Sequence, residues 1–152
     1  MTESSPSELD WAIRTEIYGS FGRIGASPSA ADLSDRFDVT PEGITASLER
    51  LHAAHEIAPT LDGREVWMAN PFSAVETAYP VETPHMSCWS NCAWDALGVA
   101  AILGVDGWTR TNCAESGSPL EFGVRDGERA GDDGVIHLVT PLRHAWDNIG
   151  FT

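Results

Sequence analysis

The sequence contains no lysine: all nine basic residues are arginines, set against 23 acidic ones, for a formal net charge of −14. Such a surface repels nucleic-acid phosphates and anionic lipid headgroups, so neither nucleic acid nor membrane is expected as a partner. Cysteine is scarce. The three present, Cys88, Cys92 and Cys113, cannot complete a disulfide framework. Residues 1–10 are polar and acidic and lack the apolar run of an ordinary secretory signal. No apolar stretch is long enough to span a bilayer; the longest, residues 96–105, is broken by Gly98 and Gly104. These absences predict a cytoplasmic protein with reduced thiols. In that setting cysteines are catalytic, metal-binding or buried more often than cross-linked.

The 152 residues are 42% hydrophobic and 21% charged, the balance of a folded chain with one ordinary domain or two small ones in contact. Residues 1–8 read as a mobile lead-in. Leu9, Trp11, Ala12, Ile13, Ile17 and Phe21 recur near helical spacing, which predicts a helix over residues 9–21 ended by Gly22, Gly25 and Pro28. Ser29 caps a short helix carrying Ala30, Leu33 and Phe37. Thr40-Pro41 starts another, striped by Ile44, Leu48 and Leu51 and reaching about His55. Asp62-Gly63 is a hairpin turn between residues 57–61 and 65–68. Three helices and a hairpin make a winged-helix-like module over residues 9–70.

Residues 72–83 read as a connector with some strand character. A helix is expected from Trp89 to Leu103, followed by strands at residues 108–112, 120–125 and 134–139, with turns at 115–119 and 127–133. The expected fold is therefore α+β: the N-terminal three-helix module, then a small, mostly antiparallel sheet with a packed helix over residues 71–152. Residues 147–152 resemble the approach to a further strand.

The densest chemistry is Cys88-x-x-x-Cys92-x-x-Asp95. On the expected helix the two thiols lie one turn apart on one face, with the carboxylate beside them. The positive end of the helix favours thiolate, and an ionised Asp95 opposes it. Thiol beside carboxyl suits chemistry in which sulfur holds a soft electrophile while the carboxyl carries a proton. The plainer reading makes Cys88 and Cys92 small core residues and Asp95 a local hydrogen-bond partner. Cys113, alone, reads as a buried turn cysteine; with Cys88, Cys92 and a histidine it would complete a zinc site, though the spacing is weak for one. His85, His137 and His144 are scattered, with His137 alternating with valines as a sheet histidine would and His144 reading as a surface residue. Trp89 and Trp94 flank Cys92 as walls of an apolar pocket or as plain helix packing.

The run Cys92-Ala93-Trp94-Asp95-Ala96-Leu97 resembles the C-A-x-D-x-L motif of the alkylmercury lyases, and residues 112–119 resemble that family's second segment, a cysteine before a small-polar turn and Gly-x-Pro. The resemblance covers most of the chain from about residue 9. It implies protonolysis of a carbon–mercury bond to hydrocarbon and Hg(II), with Cys92 as the mercury-binding thiolate, Asp95 as the proton carrier and Cys113 as a structural cysteine. It implies no cofactor beyond a low-molecular-weight cellular thiol that accepts the product, and a mercuric reductase as the consumer of Hg(II). It also implies a second catalytic cysteine directly after a segment like residues 146–152, together with a final strand and helices. On that pattern the core is incomplete at Thr152, and the protein is either a fragment or lacks that thiol. Cys88, one helical turn from Cys92, is the candidate substitute and tentative second mercury ligand. The competing reading is a non-catalytic, thiol-based binder or sensor of soft metals. Its DNA-binding version is disfavoured by the acidic charge and by the predicted recognition helix over residues 40–55, which sets Glu42 and Glu49 against Arg50 alone.

Overall fold

A computed structural model describes residues 5–150 of the chain. Half of the expected lead-in and the last two residues of the expected strand approach lie outside them. Helix α1 (Glu8–Ile24) starts at Ser7, whose hydroxyl accepts from the Asp10 N–H at 3.2 Å while the Asp10 carboxylate accepts from the Ser7 N–H at 2.7 Å. Two orphan donors of the first turn are satisfied reciprocally. The helix runs through Gly22 and stops only at Gly25, which takes the left-handed φ of 72° needed for the C-cap. Helix α2 (Ala30–Phe37) has the same reciprocal cap between Ser29 and Asp32. Helix α3 (Pro41–Ala53) is capped by Thr40, with proline in its first turn, and ends just before His55, whose φ is 61°.

The remaining elements are β1 (Ala58–Pro59), β2 (Val66–Ala69), β3 (Phe72–Ser73), β4 (Pro80–Glu82), β5 (Ser87–Ser90), α4 (Ala93–Leu103), β6 (Gly107–Asn112), β7 (Pro119–Arg125) and β8 (Glu128–Gly131), then a 3-10 helix, Leu142–Asn148. The strands form one eight-stranded antiparallel sheet in the order β1-β2-β3-β5-β4-β6-β7-β8. The expected α+β class is the observed one. The β1–β2 hairpin that follows the three helices is the edge of this common sheet. Ile13, Ile17, Phe21, Leu48 and Leu51 share one core with Phe72, Val81 and Val99, and the Phe21 and Phe72 rings stack at 4.9 Å. Packing therefore runs continuously across residue 70.

Two expected elements differ. Residues 87–90 form a strand where a helix was expected to be starting. Residues 134–139 are not a strand; instead β8 lies inside the expected turn at 127–133. Asp126 and Gly127, at φ 53° and 78°, reverse the chain at once, so β7 pairs with β8 through Arg125↔Glu128 to Phe122↔Gly131. Val135 and Val139 are left beyond the sheet, 93% and 64% exposed, and His137 is exposed with them. Among the described residues no helix is long and apolar enough to cross a membrane.

A buried ion pair locks α1 to α3. Asp10 is fully buried and accepts from Arg50 Nε and Nη2 at 2.8 Å each and from the Ser47 hydroxyl at 2.6 Å. Burial alone would raise the Asp10 pKa; the Arg50, Ser47 and Ser7 hydrogen bonds outweigh it and hold the carboxyl well below the usual carboxylate range. The single arginine of α3 is thereby committed within the fold. Arg50→Ala strands the buried carboxylate, with an expected loss of about 3 kcal/mol in urea unfolding, the low end for such pairs because Arg50 is partly exposed. A folded pKa held below the unfolded one stabilises above about pH 4 and is lost as pH falls further. The difference between wild type and variant is therefore expected to shrink in acid.

Candidate functional site

The segment Ser87-Cys88-Trp89-Ser90 alternates: Cys88 and Ser90 are buried and Ser87 and Trp89 less so. Pairing with β3 and β4 on either side holds it extended. Cys88 lies opposite Val81 and is 5% exposed, within the hydrophobic core. It is thus on a strand and does not share a helical face with Cys92, which corrects the expected geometry. Burial pushes its thiol pKa up to about 11.

Helix α4 begins one step after Cys92. Cys92 is its N-cap, with extended backbone (φ −154°, ψ 179°), and its Sγ accepts from the Asp95 N–H at 3.5 Å. Sulfur here takes the place an oxygen usually fills at an N-cap. Thiol and carboxyl are thus brought together by the cap itself. Burial raises the Cys92 pKa, opposed by the Asp95 N–H and reinforced by the Asp95 charge. Burial also raises the Asp95 pKa, opposed by Asn91 and Cys92. Desolvation outweighs the helix terminus, so the resting pair favours thiol and protonated acid more than free side chains would.

The chain before the cap is tied down by residues that sequence reasoning missed. Asn91 Nδ2 donates to Asn70 Oδ1 at 2.8 Å and to the Phe72 carbonyl at 3.2 Å. The Tyr18 hydroxyl donates to the Asn70 carbonyl at 2.9 Å, linking α1 to the same corner. No local pattern marks either asparagine; they meet only through the β3–β5 pairing.

Cys92 and Asp95 line a cavity of about 160 Å³ with Asn70, Asn91 and Trp94. Its other wall is apolar, from Leu138, Leu142, Ala145 and Ile149. Trp94 is among the lining residues, whereas Trp89 is not. A more open cleft of about 670 Å³, lined by His52, Trp67 and Trp146, shares Ile149 and Gly150 with that cavity and carries no thiol.

Cys113 sits apart, on the turn between β6 and β7, where its N–H donates to the Ser118 carbonyl at 2.8 Å and its carbonyl accepts from Gly117 at 2.8 Å. It is half-exposed rather than buried, and the Ser116 hydroxyl and nearby N–H groups lower its pKa. Among the described residues no three His, Cys, Asp or Glu side chains gather as a metal site. His85 is exposed, and His144 lies 3.0 Å from Asp147 on the surface. Alkylation by iodoacetamide at neutral pH is expected to reach Cys113 first, Cys92 more slowly and Cys88 last. Peptide mapping over time reads that order; early loss of Cys88 would contradict its placement in the core.

Comparison with known proteins adds the family. The family model described as alkylmercury lyase matches residues 72–152, more than half of the chain and the part holding all three cysteines. Among solved structures, the mercury-bound form of MerB2 superposes with a TM-score of 0.63 at 21% identity, covering 84% of this chain. The chain spans 60% of the length of that protein. No curated protein matches. With a shared fold and a family match that takes in the Cys92–Asp95 cap, the chain belongs to the alkylmercury lyase family.

Proposed function

We propose that this protein is an organomercurial lyase that breaks carbon–mercury bonds by protonolysis, with Cys92 as mercury ligand and Asp95 as proton carrier. The observation that carries the reading is the N-cap contact: Cys92 Sγ and the Asp95 N–H are 3.5 Å apart and both side chains line one cavity. Mercury is soft and prefers thiolate to the harder oxygen ligands around it. The solved mercury-bound relative supports mercury as the cargo of this fold.

The steps balance with these two groups and a free thiol. An organomercurial R–Hg–X loses X⁻ to Cys92, and the thiol proton passes to solvent. A low-molecular-weight thiolate then adds to mercury and raises electron density on carbon. Asp95 gives its own proton to carbon, the C–Hg bond breaks, R–H leaves, and the carboxylate takes a proton back from solvent. Mercury remains as Cys92–S–Hg–S–R′ until a further thiol displaces it and its proton restores Cys92. Cys88, as a core side chain, is not needed in this scheme; the second sulfur is that of the low-molecular-weight thiol. No other cofactor enters. A reaction that reduces or sequesters Hg(II), such as a mercuric reductase supplies, consumes the product.

The test is hydrocarbon release from phenylmercury by the purified chain in excess thiol, read by gas chromatography. Repeated turnover with benzene equal to mercury released supports a lyase. Stoichiometric mercury uptake without benzene points to a soft-metal binder instead.

A further inference from the structure

Cys92 and Asp95 share their cavity with apolar side chains, which line the space where an organic group on Cys92 would lie. Four of them come from a stretch with no strand pairing: Leu138 from the loop after β8, Leu142 and Ala145 from the 3-10 helix, and Ile149 just beyond. Its seat is aromatic. Trp146 stacks on His55 with ring centres 4.7 Å apart and planes 5° apart, and Gly150 lies so close to the Trp67 ring that a side chain there would collide. Apolar cavities of about 150 Å³ hold one benzene ring. The 160 Å³ here is of that size.

We infer that Leu138, Leu142, Ala145 and Ile149 form the specificity wall of the site, admitting small alkyl and single-ring aryl groups to Cys92 and excluding larger ones. The inference rests on the reading of Cys92 as mercury ligand. A carbon-bound mercury seated on Sγ must place its organic group within a few ångströms of Asp95. The polar side of the cavity, with Asn70 and Asn91, offers that group nothing apolar. Trp94, Met68 and the four-residue wall do. Discrimination then comes from fit, since an organic group too large for the space has to displace packed side chains.

The experiment follows uptake of methylmercury, phenylmercury and naphthylmercury by individual cysteines, using peptide mass spectrometry on the full chain. Uptake requires no cleavage, and Cys113 in the same molecule serves as an unwalled reference. Wild-type Cys92 is expected to take methylmercury and phenylmercury readily and naphthylmercury poorly, relative to Cys113. Ala145→Phe fills the space and lowers the phenyl-to-methyl ratio at Cys92 by at least about tenfold, leaving the ratio at Cys113 unchanged. Leu142→Ala, at a side chain already 62% exposed, keeps the fold and raises relative naphthylmercury uptake. Unchanged ratios at Cys92 in both variants overturn the inference while leaving the lyase reading intact. Failure of Cys92 to take up any of the three mercurials overturns both.

Discussion

Cys92→Ser is expected to abolish benzene release from phenylmercury, with a loss of at least about a thousandfold, while leaving the fold intact. Both halves of that expectation follow from the cap. Serine is among the favoured N-cap residues, so its hydroxyl takes over the Asp95 N–H and α4 still starts at Ala93. Unfolding midpoints of wild type and variant should agree closely. The chemistry, by contrast, needs a soft donor. A serine hydroxyl is a hard oxygen that stays protonated at neutral pH, and it does not exchange into the coordination of R–Hg–X as thiolate does. The same variant keeps Cys88 and Cys113. Residual turnover near the wild-type level would mean that one of those thiols holds the mercury, and the cavity would lose its assignment.

Asp95→Asn is expected to separate capture from cleavage. The contact to Cys92 Sγ comes from the backbone N–H of residue 95, so the cap survives the change of side chain. Cys92 should still take up phenylmercury at about the wild-type extent. Benzene release should fall by about 10²–10⁴, the usual contribution of a positioned acid, because an amide N–H is far too weakly acidic to protonate carbon. Burial raises the Asp95 pKa, so the wild-type carboxyl keeps its proton to higher pH than a free aspartic acid. Release that depends on that proton declines as pH rises through the raised value, and the variant loses this dependence. Quench-flow sampling of bound phenylmercury and free benzene in parallel reads both quantities. Equal losses of capture and release would assign Asp95 to holding the thiol rather than to moving a proton.

Much of the helical part was legible because its signals are local. Ser29, and Thr40 before Pro41, each mark a cap by residue type alone, and the helices begin there. The closeness of Cys92 and Asp95 was legible for the same reason, the two being three residues apart in one run. What misled was also local. Cys88-x-x-x-Cys92 before an alanine-rich stretch reads as continuous helix, yet residues 87–90 are only four, with inward positions filled by Cys88 and Ser90 rather than by large apolar side chains. Their strand conformation comes from β3 and β4, which no window around Cys88 contains. Likewise, the alternation of Val135, His137 and Val139 suggests a strand, but the Asp126-Gly127 reversal had already supplied β7 with its partner. The corner built by Tyr18, Asn70 and Asn91, and the wall from residues 138–149, depend on contacts between distant segments.

Single-turnover cleavage in deuterated water tests the central claim most directly. One equivalent of phenylmercury is mixed with the protein and excess thiol, benzene is analysed by mass spectrometry, and mercury is located by peptide mapping before exchange. The account predicts benzene carrying one deuterium, formed in step with mercury held on the Cys92 peptide. Intact phenylmercury remaining on Cys92 with no benzene, or benzene formed while mercury resides on Cys113, would contradict it.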